Sequence, residues 1–441
     1  MLSRLDLRGS ADLGGALSRP EEGIDATDDG ALESVRAIIA AVRARGDDAV
    51  RELTERFDGC VFDTDSSGLR VPVDEVRAAL DTAAPELRAA LELAAQRIRE
   101  YHAAQLGGPE PVVERDGVTL REITVPVDRA GLYVPGGRAA YPSTVLMTAI
   151  PAALAGVTER VLCVPPAADG TVPASTLAAA ALAGVTEVYR IGGAQAIAAM
   201  AYGTDTIRPV DVIVGPGNRY VALAKREVAG TVGIDSFAGP SEVVVVADGS
   251  VPAVFAAADL LAQAEHGPDG AAVLVTWDPE VADATDAAID ELLVDAPRQQ
   301  EITATLTRGG RIVLVDDRLA ALDAVNAIAP EHLELLTADP GALVPLVRNA
   351  GAVFVGPWAP AALGDYLAGV NHVLPTARTA RFASALRVDT FRKHVHVVEA
   401  TEAGLIALAP HVRVLAAAEG LDAHARSIDV RGALTVPRKQ P

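Results

Sequence analysis

Apolar side chains between Ala31 and Arg45 fall at Leu32, Val35, Ile38, Ile39 and Val42. Steps of three and four residues predict a helix with one buried face, entered through Thr27 to Asp29 and closed by Gly46. Val73 to Leu106 continues in the same period and predicts a helical region interrupted at Pro85. From Val112 to Val127 two short extended runs flank Asp116 and Gly117, the signal of a hairpin. At Gly131 the pattern changes to short apolar runs alternating with alanine-rich helices. Ala153 to Glu159 and Ala181 to Glu187 are both Ala-Leu-Ala-Gly-Val-Thr-Glu, each a helix end, a glycine cap and the entry to an apolar run, Val161 to Val164 or Val188 to Ile191. Tandem units of this kind predict a parallel sheet covered by helices. A second series spans Glu242 to Val355, with strands expected at Val243–Val246, Ala272–Thr276, Ile312–Val315 and Ala352–Val355. Two α/β domains of similar construction leave a cleft between them, the usual place for a substrate. Beyond Pro375 the character changes again, to a stretch carrying Arg392, Lys393, His394 and His396 and two helical stretches near Thr401–Gly420 and Leu421–Val430. So short a terminal piece is expected to pack on another domain or on a second subunit.

Composition narrows the class. Half of the 441 residues are apolar, as in a globular protein of more than one domain, and the formal net charge is −21. Such an acidic balance excludes a nucleic-acid partner, which would need excess Lys and Arg, and leaves any anionic cofactor to helix N-termini and backbone amides. The first twenty residues mix Arg4, Asp6, Arg8 and Asp12, with no apolar segment long enough for a signal peptide. No apolar run is long enough to span a membrane. The expectation is a soluble, cytoplasmic protein. Cys60 and Cys163 sit among apolar residues and read as idle buried thiols.

Chemistry concentrates in a few places. Three glycine-rich turns, Tyr133-Val-Pro-Gly-Gly137, Ile191-Gly-Gly-Ala-Gln195 and Val214-Gly-Pro-Gly-Asn218, stand where strands should finish. Singly, each is what a strand-to-helix turn needs. Together, with Tyr133, Gln195 and Asn218 beside them, they are compatible with a nucleotide site, one without the usual dinucleotide fingerprint. Gln263 and His266 are three apart at a helix end stopped by Gly267 and Pro268, so both side chains share a face: half of a metal site, or a polar helix terminus. His332, His372 and His424 also lie among polar groups, and Gln263, His266, Asp365 and His424 form a donor set that zinc accepts. Glu331 and His332, following Pro330, predict a turn or helix start. They offer either an acid–base pair or a helix-terminal carboxylate beside a partly buried imidazole. On these residues alone a zinc hydrolase using Glu331 and a silent nucleotide-binding scaffold both stay open.

As a set the motifs are more specific. Gly131-Leu-Tyr-Val-Pro-Gly-Gly137, Gly192-Gly-Ala-Gln-Ala196, Gly215-Pro-Gly-Asn218, Gly239-Pro-Ser-Glu242, Gln263-Ala-Glu-His-Gly-Pro268, Pro330-Glu-His-Leu-Glu334, Gly364-Asp365 and Asn371-His-Val-Leu-Pro375 occur in this order. From about residue 25 to 430 the chain closely resembles the histidinol dehydrogenases. The resemblance implies two Rossmann-like α/β domains with parallel sheets, small helical terminal segments and an intertwined homodimer. It implies oxidation of L-histidinol through L-histidinaldehyde to L-histidine with reduction of two NAD, one zinc per site, and no membrane or nucleic-acid partner. The divisions expected are an N-terminal helical segment (1–26), a first α/β domain with the metal and catalytic residues (27–133 and 241–380), a second on the NAD side (134–240), and a C-terminal arm reaching the partner subunit (381–441). Carried over by position, Gln263, His266, Asp365 and His424 are zinc ligands, His424 coming from the other subunit, and Glu331 and His332 are the proton-transfer pair. Ser241, Gln263, His266, His332, Asp365, His372, Glu419 and His424 meet the substrate, and Tyr133, Gln195 and Asn218 meet NAD. A member of the wider family acting on another amino alcohol is the alternative.

Overall fold

The two identical seven-residue segments each end a helix and launch a strand. The helix Pro142–Ala155 stops on Gly156 at φ +97°, and Ala174–Leu182 runs into Gly184 at φ +72°, backbone that a side chain resists. The strands that follow, Glu159–Val164 and Glu187–Arg190, lie in a five-stranded parallel sheet. Its spatial order is Glu187–Arg190, Glu159–Val164, Arg129–Tyr133, Val212–Val214, Gly233–Ile234. In chain order that is 3-2-1-4-5, so the winding reverses between the first strand and the fourth.

A second parallel sheet has six strands in the order Ser3–Asp6, Gly310–Leu314, Ala271–Thr276, Glu242–Ala247, His332–Leu336, Ala352–Val355. Apart from the N-terminal strand, it repeats the order 3-2-1-4-5. Glu242–Ala247, Ala271–Thr276 and His332–Leu336 are buried along their whole length, which is why two of them read in sequence as continuous apolar runs rather than alternating ones. The architecture is mixed α/β with parallel sheets. The computed structural model describes residues 2–10, 12–17, 29–62, 68–108, 110–136, 140–236, 239–267 and 269–434. Thr27, Gly137 and Pro268, expected in turns and at helix ends, lie outside these. No helix among the described residues is long and apolar enough to cross a membrane.

Several boundaries differ from those expected. The segment expected to be helical opens as the strand Ser3–Asp6, paired in register with Arg311–Leu314, before the short helix Leu13–Leu17. The helices Asp29–Arg45 and Asp47–Asp58 pack with Tyr133, Val161, Tyr189 and Ile213 on the five-stranded sheet, and Arg129–Tyr133 is the middle strand of that sheet. Residues 29–58 and 129–133 are therefore built into the sheet of 134–240, not the sheet of 241–380.

Two compact units divide the chain: Met1–Leu106 with Val127–Phe391, and Gly107–Pro126 with Arg392–Pro441. The second contains the expected hairpin, Val112–Arg115 and Val118–Pro126, closed by Asp116 and Gly117 with both φ angles positive, the geometry of a tight two-residue turn. Its long strand pairs antiparallel with Arg392–Ala400, and the helices Glu402–Ala418 and Asp422–Leu434 complete the unit. The terminal piece thus starts at Arg392 and takes residues 107–126 with it, because sheet pairing joins segments that the sequence keeps far apart.

Candidate active site

The polar residues gather at the amino edge of the six-stranded sheet. Glu242 and His332 each open a strand, and the two strands are neighbours, with His332 opposite Val243. The sequence expectation of a turn or helix start at His332 is corrected here: Pro330 ends the loop, and His332 begins a buried strand. The approach is tightly fixed. Ala329, fully buried, caps the helix Arg318–Ile328 at φ +52° and ψ +61°, a left-handed conformation that costs a side chain roughly 1–2 kcal/mol. Across from it Gly351 donates its N–H to Pro330 O at 3.0 Å and Ala352 donates to Glu331 O at 2.9 Å. A Cβ on Gly351 would lie 2.6 Å from Glu331 O, so only glycine permits the approach.

Glu331 Oε2 accepts the Glu242 N–H at 2.9 Å. His332 Nδ1 stands 3.2 Å from Glu242 O, a group that can only accept, so Nδ1 carries the proton and Nε2 the lone pair in the neutral ring. Nε2 faces Asp365 Oδ1 at 3.5 Å and is buried without a hydrogen-bond partner. Burial opposes a charge on His332, but Glu331, also 3.5 Å away, and Asp365 outweigh it and hold the imidazole well above its ordinary range. Asp365 is held below the usual carboxylate range: burial raises it, and His332, His372 and His266 lower it by more. Phe354 stacks on the His332 ring at 6.0 Å between centroids.

Helix Ala253–Ala264 starts past the far end of its strand and runs back to this same edge, which brings Gln263 and His266 there. His266 Nδ1 lies 3.1 Å from Ala262 O and 3.3 Å from Gln263 O. Carbonyls again fix the proton on Nδ1 and leave the Nε2 lone pair available, the form in which imidazole takes a metal. Gln263 is buried, and its Nε2 has no partner. Asp365 sits in the short helix Ala361–Tyr366. Ser241 lies at the same edge, next to Glu242, half-buried.

His372 is fixed from both sides: Nδ1 donates to Asp365 O at 3.1 Å, and the Thr144 hydroxyl, 2.9 Å from Nε2, donates to it. Thr144 was not singled out from the sequence, where Pro142-Ser-Thr144 looks like an ordinary helix start. It comes from the first turn of Pro142–Ala155, the helix that follows the Tyr133 turn, and links the two sheets' polar ends. Asn371, also missed, donates to Met147 O of that helix at 2.6 Å.

The three glycine-rich turns leave the carboxyl ends of strands in the five-stranded sheet, where open parallel sheets bind ligands. Gln195 is buried, and both its amide nitrogen and oxygen lack partners. Tyr133 is closed off, its phenol oxygen accepting Gly193 N–H at 3.0 Å. Asn218 is exposed and caps the helix Arg219–Val228, its Oδ1 accepting from Tyr220 and Val221. Beneath the Gly215 turn, buried Lys225 donates to Gly215 O at 3.1 Å and pairs with Asp235, whose Oδ2 accepts Gly215 N–H at 2.7 Å. Lys225→Met strands the Asp235 charge in the interior and should lower unfolding free energy by about 3–5 kcal/mol. Denaturant titration reads this, and Lys225→Met with Asp235→Leu should recover most of the loss.

Within the first unit, then, Ser241, Gln263, His266, Glu331, His332, Asp365 and His372 share one edge. Glu419 and His424 belong to the second unit, exposed, at the end of Glu402–Ala418 and in Asp422–Leu434. Among the described residues no three His, Cys, Asp or Glu side chains are gathered to hold a metal. The expected donor set has one amide and takes His424 from the partner subunit.

Comparison with known proteins gives a consistent answer. The histidinol dehydrogenase family model matches residues 22–432. The chain is 51% identical to a histidinol dehydrogenase of Rhizobium meliloti (strain 1021), over 90% of this chain and 91% of that one. It is 49% identical to one from Moorella thermoacetica, over 91% and 95%. The crystal structure of histidinol dehydrogenase from Elizabethkingia anophelis superposes with a TM-score of 0.92 at 34% identity, covering 99% of each chain. With a family model spanning nearly the whole sequence and relatives at half identity, the chain belongs to the histidinol dehydrogenase family.

Proposed function

We propose that this protein catalyses the last steps of histidine synthesis, the four-electron oxidation of L-histidinol to L-histidine through L-histidinaldehyde. The balance is one alcohol, one water and two NAD⁺ giving one carboxylate, two NADH and protons. The observation that carries the reading is the His332 ring, fixed through Nδ1 by a backbone carbonyl with Nε2 left open beside Asp365. In the first oxidation His332 Nε2 takes the hydroxyl proton while hydride leaves to the nicotinamide. In the second, Glu331, oriented by the Glu242 amide, takes a proton from the water that adds to the aldehyde. For Nε2 to act as a base, the charge of Asp365 has to be taken up by another cation.

The donor chemistry supports zinc in that place: the lone pair of His266 Nε2, the Asp365 carboxylate, the buried Gln263 amide and His424 of the partner subunit. Zinc held by these residues would supply a Lewis acid for the imidazole and amino nitrogens of histidinol. In this reading two chains form a homodimer, Glu419 of the partner subunit meets the substrate, and Ser241 and His372 line its pocket. The two sheets, in the Rossmann-like order, divide the work, with the five-stranded one holding NAD. The partnerless Gln195 amide supports that division, because a buried amide costs free energy until a ligand satisfies it. Gln195→Leu should therefore raise the KM for NAD about tenfold with little change in the KM for histidinol. Initial rates at varied NAD check this.

The test is direct: purified protein with L-histidinol and NAD should form NADH and L-histidine. NADH formed faster from a different amino alcohol, with histidinol inert, would favour the alternative substrate.

A further inference from the structure

Under the turn Gly215-Pro-Gly-Asn218 lies a charge pair that none of this chemistry uses. The turn leaves the strand Val212–Val214 beside Arg129–Tyr133, where the winding of the five-stranded sheet reverses. Gly215 is buried at φ +112°, and a Cβ there would lie 2.0 Å from Tyr133 O, so the turn rests directly on the end of the neighbouring strand. The Tyr133 phenol in turn accepts the Gly193 N–H. All three glycine-rich turns are therefore joined through Tyr133.

Side chains take both peptide groups of Gly215. Asp235 Oδ2 accepts its N–H at 2.7 Å, and Lys225 Nζ donates to its carbonyl at 3.1 Å. Lys225 also pairs with Asp235, which closes a ring of three contacts around one residue, and Asp235 Oδ1 accepts the Ser236 N–H at 2.7 Å. The two side chains are only 1% and 4% exposed. Lys225 stands on the helix Arg219–Val228, which Asn218 caps, so the turn is fastened at its start by the pair and at its end by the cap. A well-packed apolar pair of similar volume is often as stable as a buried ion pair, so stability alone does not account for these charges. What an apolar pair cannot do is hold the N–H and the C=O of a turn in one orientation.

We propose that Lys225 and Asp235 are positioning residues for the nucleotide: acting through Gly215 they preorganise the turn 215–218 where the sheet reverses, and neither touches the ligand. The effect on NAD rests on the reading of this sheet as the NAD side; the clamp on Gly215 does not.

Lys225→Met combined with Asp235→Leu separates this from a plain structural role, because it removes the clamp and leaves no stranded charge. Amide hydrogen exchange over residues 212–221 should quicken about tenfold relative to the rest of the chain. The Kd for NAD, read by equilibrium titration, should rise about tenfold, and the loss should fall on the KM for NAD rather than on kcat or the KM for histidinol. A structural role alone predicts that NAD affinity returns together with the denaturation midpoint. A double variant with a restored midpoint and unmodified NAD affinity, or with unaltered exchange over 212–221, would overturn the proposal. Asp235→Asn, which keeps the shape but gives up one acceptor oxygen and the charge, is the second variant. It should move exchange and Kd in the same direction by about threefold or more. Gln195→Leu tells the two readings apart. If it weakens NAD and the double variant does not, the pair has no part in positioning; if neither weakens NAD although exchange quickens, the clamp stands and the sheet is not the NAD side.

Discussion

On the proposed assignment His332→Gln should lower kcat by about 10³-fold, within the range for removing a positioned general base, and should leave the zinc content unchanged. Glutamine preserves much of the ring's volume and can donate to Glu242 O as Nδ1 does, so the strand start and the Phe354 contact survive. What disappears is the Nε2 lone pair. His332 stands outside the proposed donor set of Gln263, His266, Asp365 and His424 of the partner subunit, so its loss should not remove a metal donor. Steady-state rates with metal analysis of the same preparation make the check, and a variant that lost its zinc would contradict the assignment of His332.

Asp365→Ala has the other large effect. It removes the one anion in the proposed donor set, and zinc affinity should fall on the order of 100-fold or more, taking turnover with it. It should also release His332. With the nearest carboxylate partner of Nε2 gone, burial weighs more heavily and the imidazole moves down toward its ordinary range. Competition with a chelator measures the affinity. An Asp365→Ala protein that retains zinc as tightly as the unmodified chain would exclude this carboxylate as a ligand.

Parts of this were legible in the sequence for definite reasons. Helical spacing, the hairpin at Asp116-Gly117 and the repeated glycine-capped segments are local, and each stands where its pattern put it. The strand His332–Leu336 was not legible, because His332 and Glu334 break an apolar run that the structure buries completely. A buried glutamate disguises a core strand. Nor does local pattern tell which sheet the helices of residues 29–58 cover, or that Ser3–Asp6 pairs with a strand some three hundred residues later. At the site, the spacing of Gln263 and His266 indicated a common face. Assembling Glu331, His332, Asp365 and His372 around it took the family resemblance, since no periodicity links residues brought together by sheet order. Thr144 carried no signal beyond that of a helix start, and Asn371 stood in a motif of the resemblance without a role of its own.

The claim beneath all of this is that one site performs two successive oxidations on one molecule. It is tested most directly by supplying limiting L-histidinol with excess NAD and counting the NADH formed at completion, with and without prior treatment with a chelator. The account predicts two NADH for each histidinol in the untreated enzyme and none after the metal is withdrawn. A yield of one, with the aldehyde accumulating, or an undiminished yield after chelation, would contradict it.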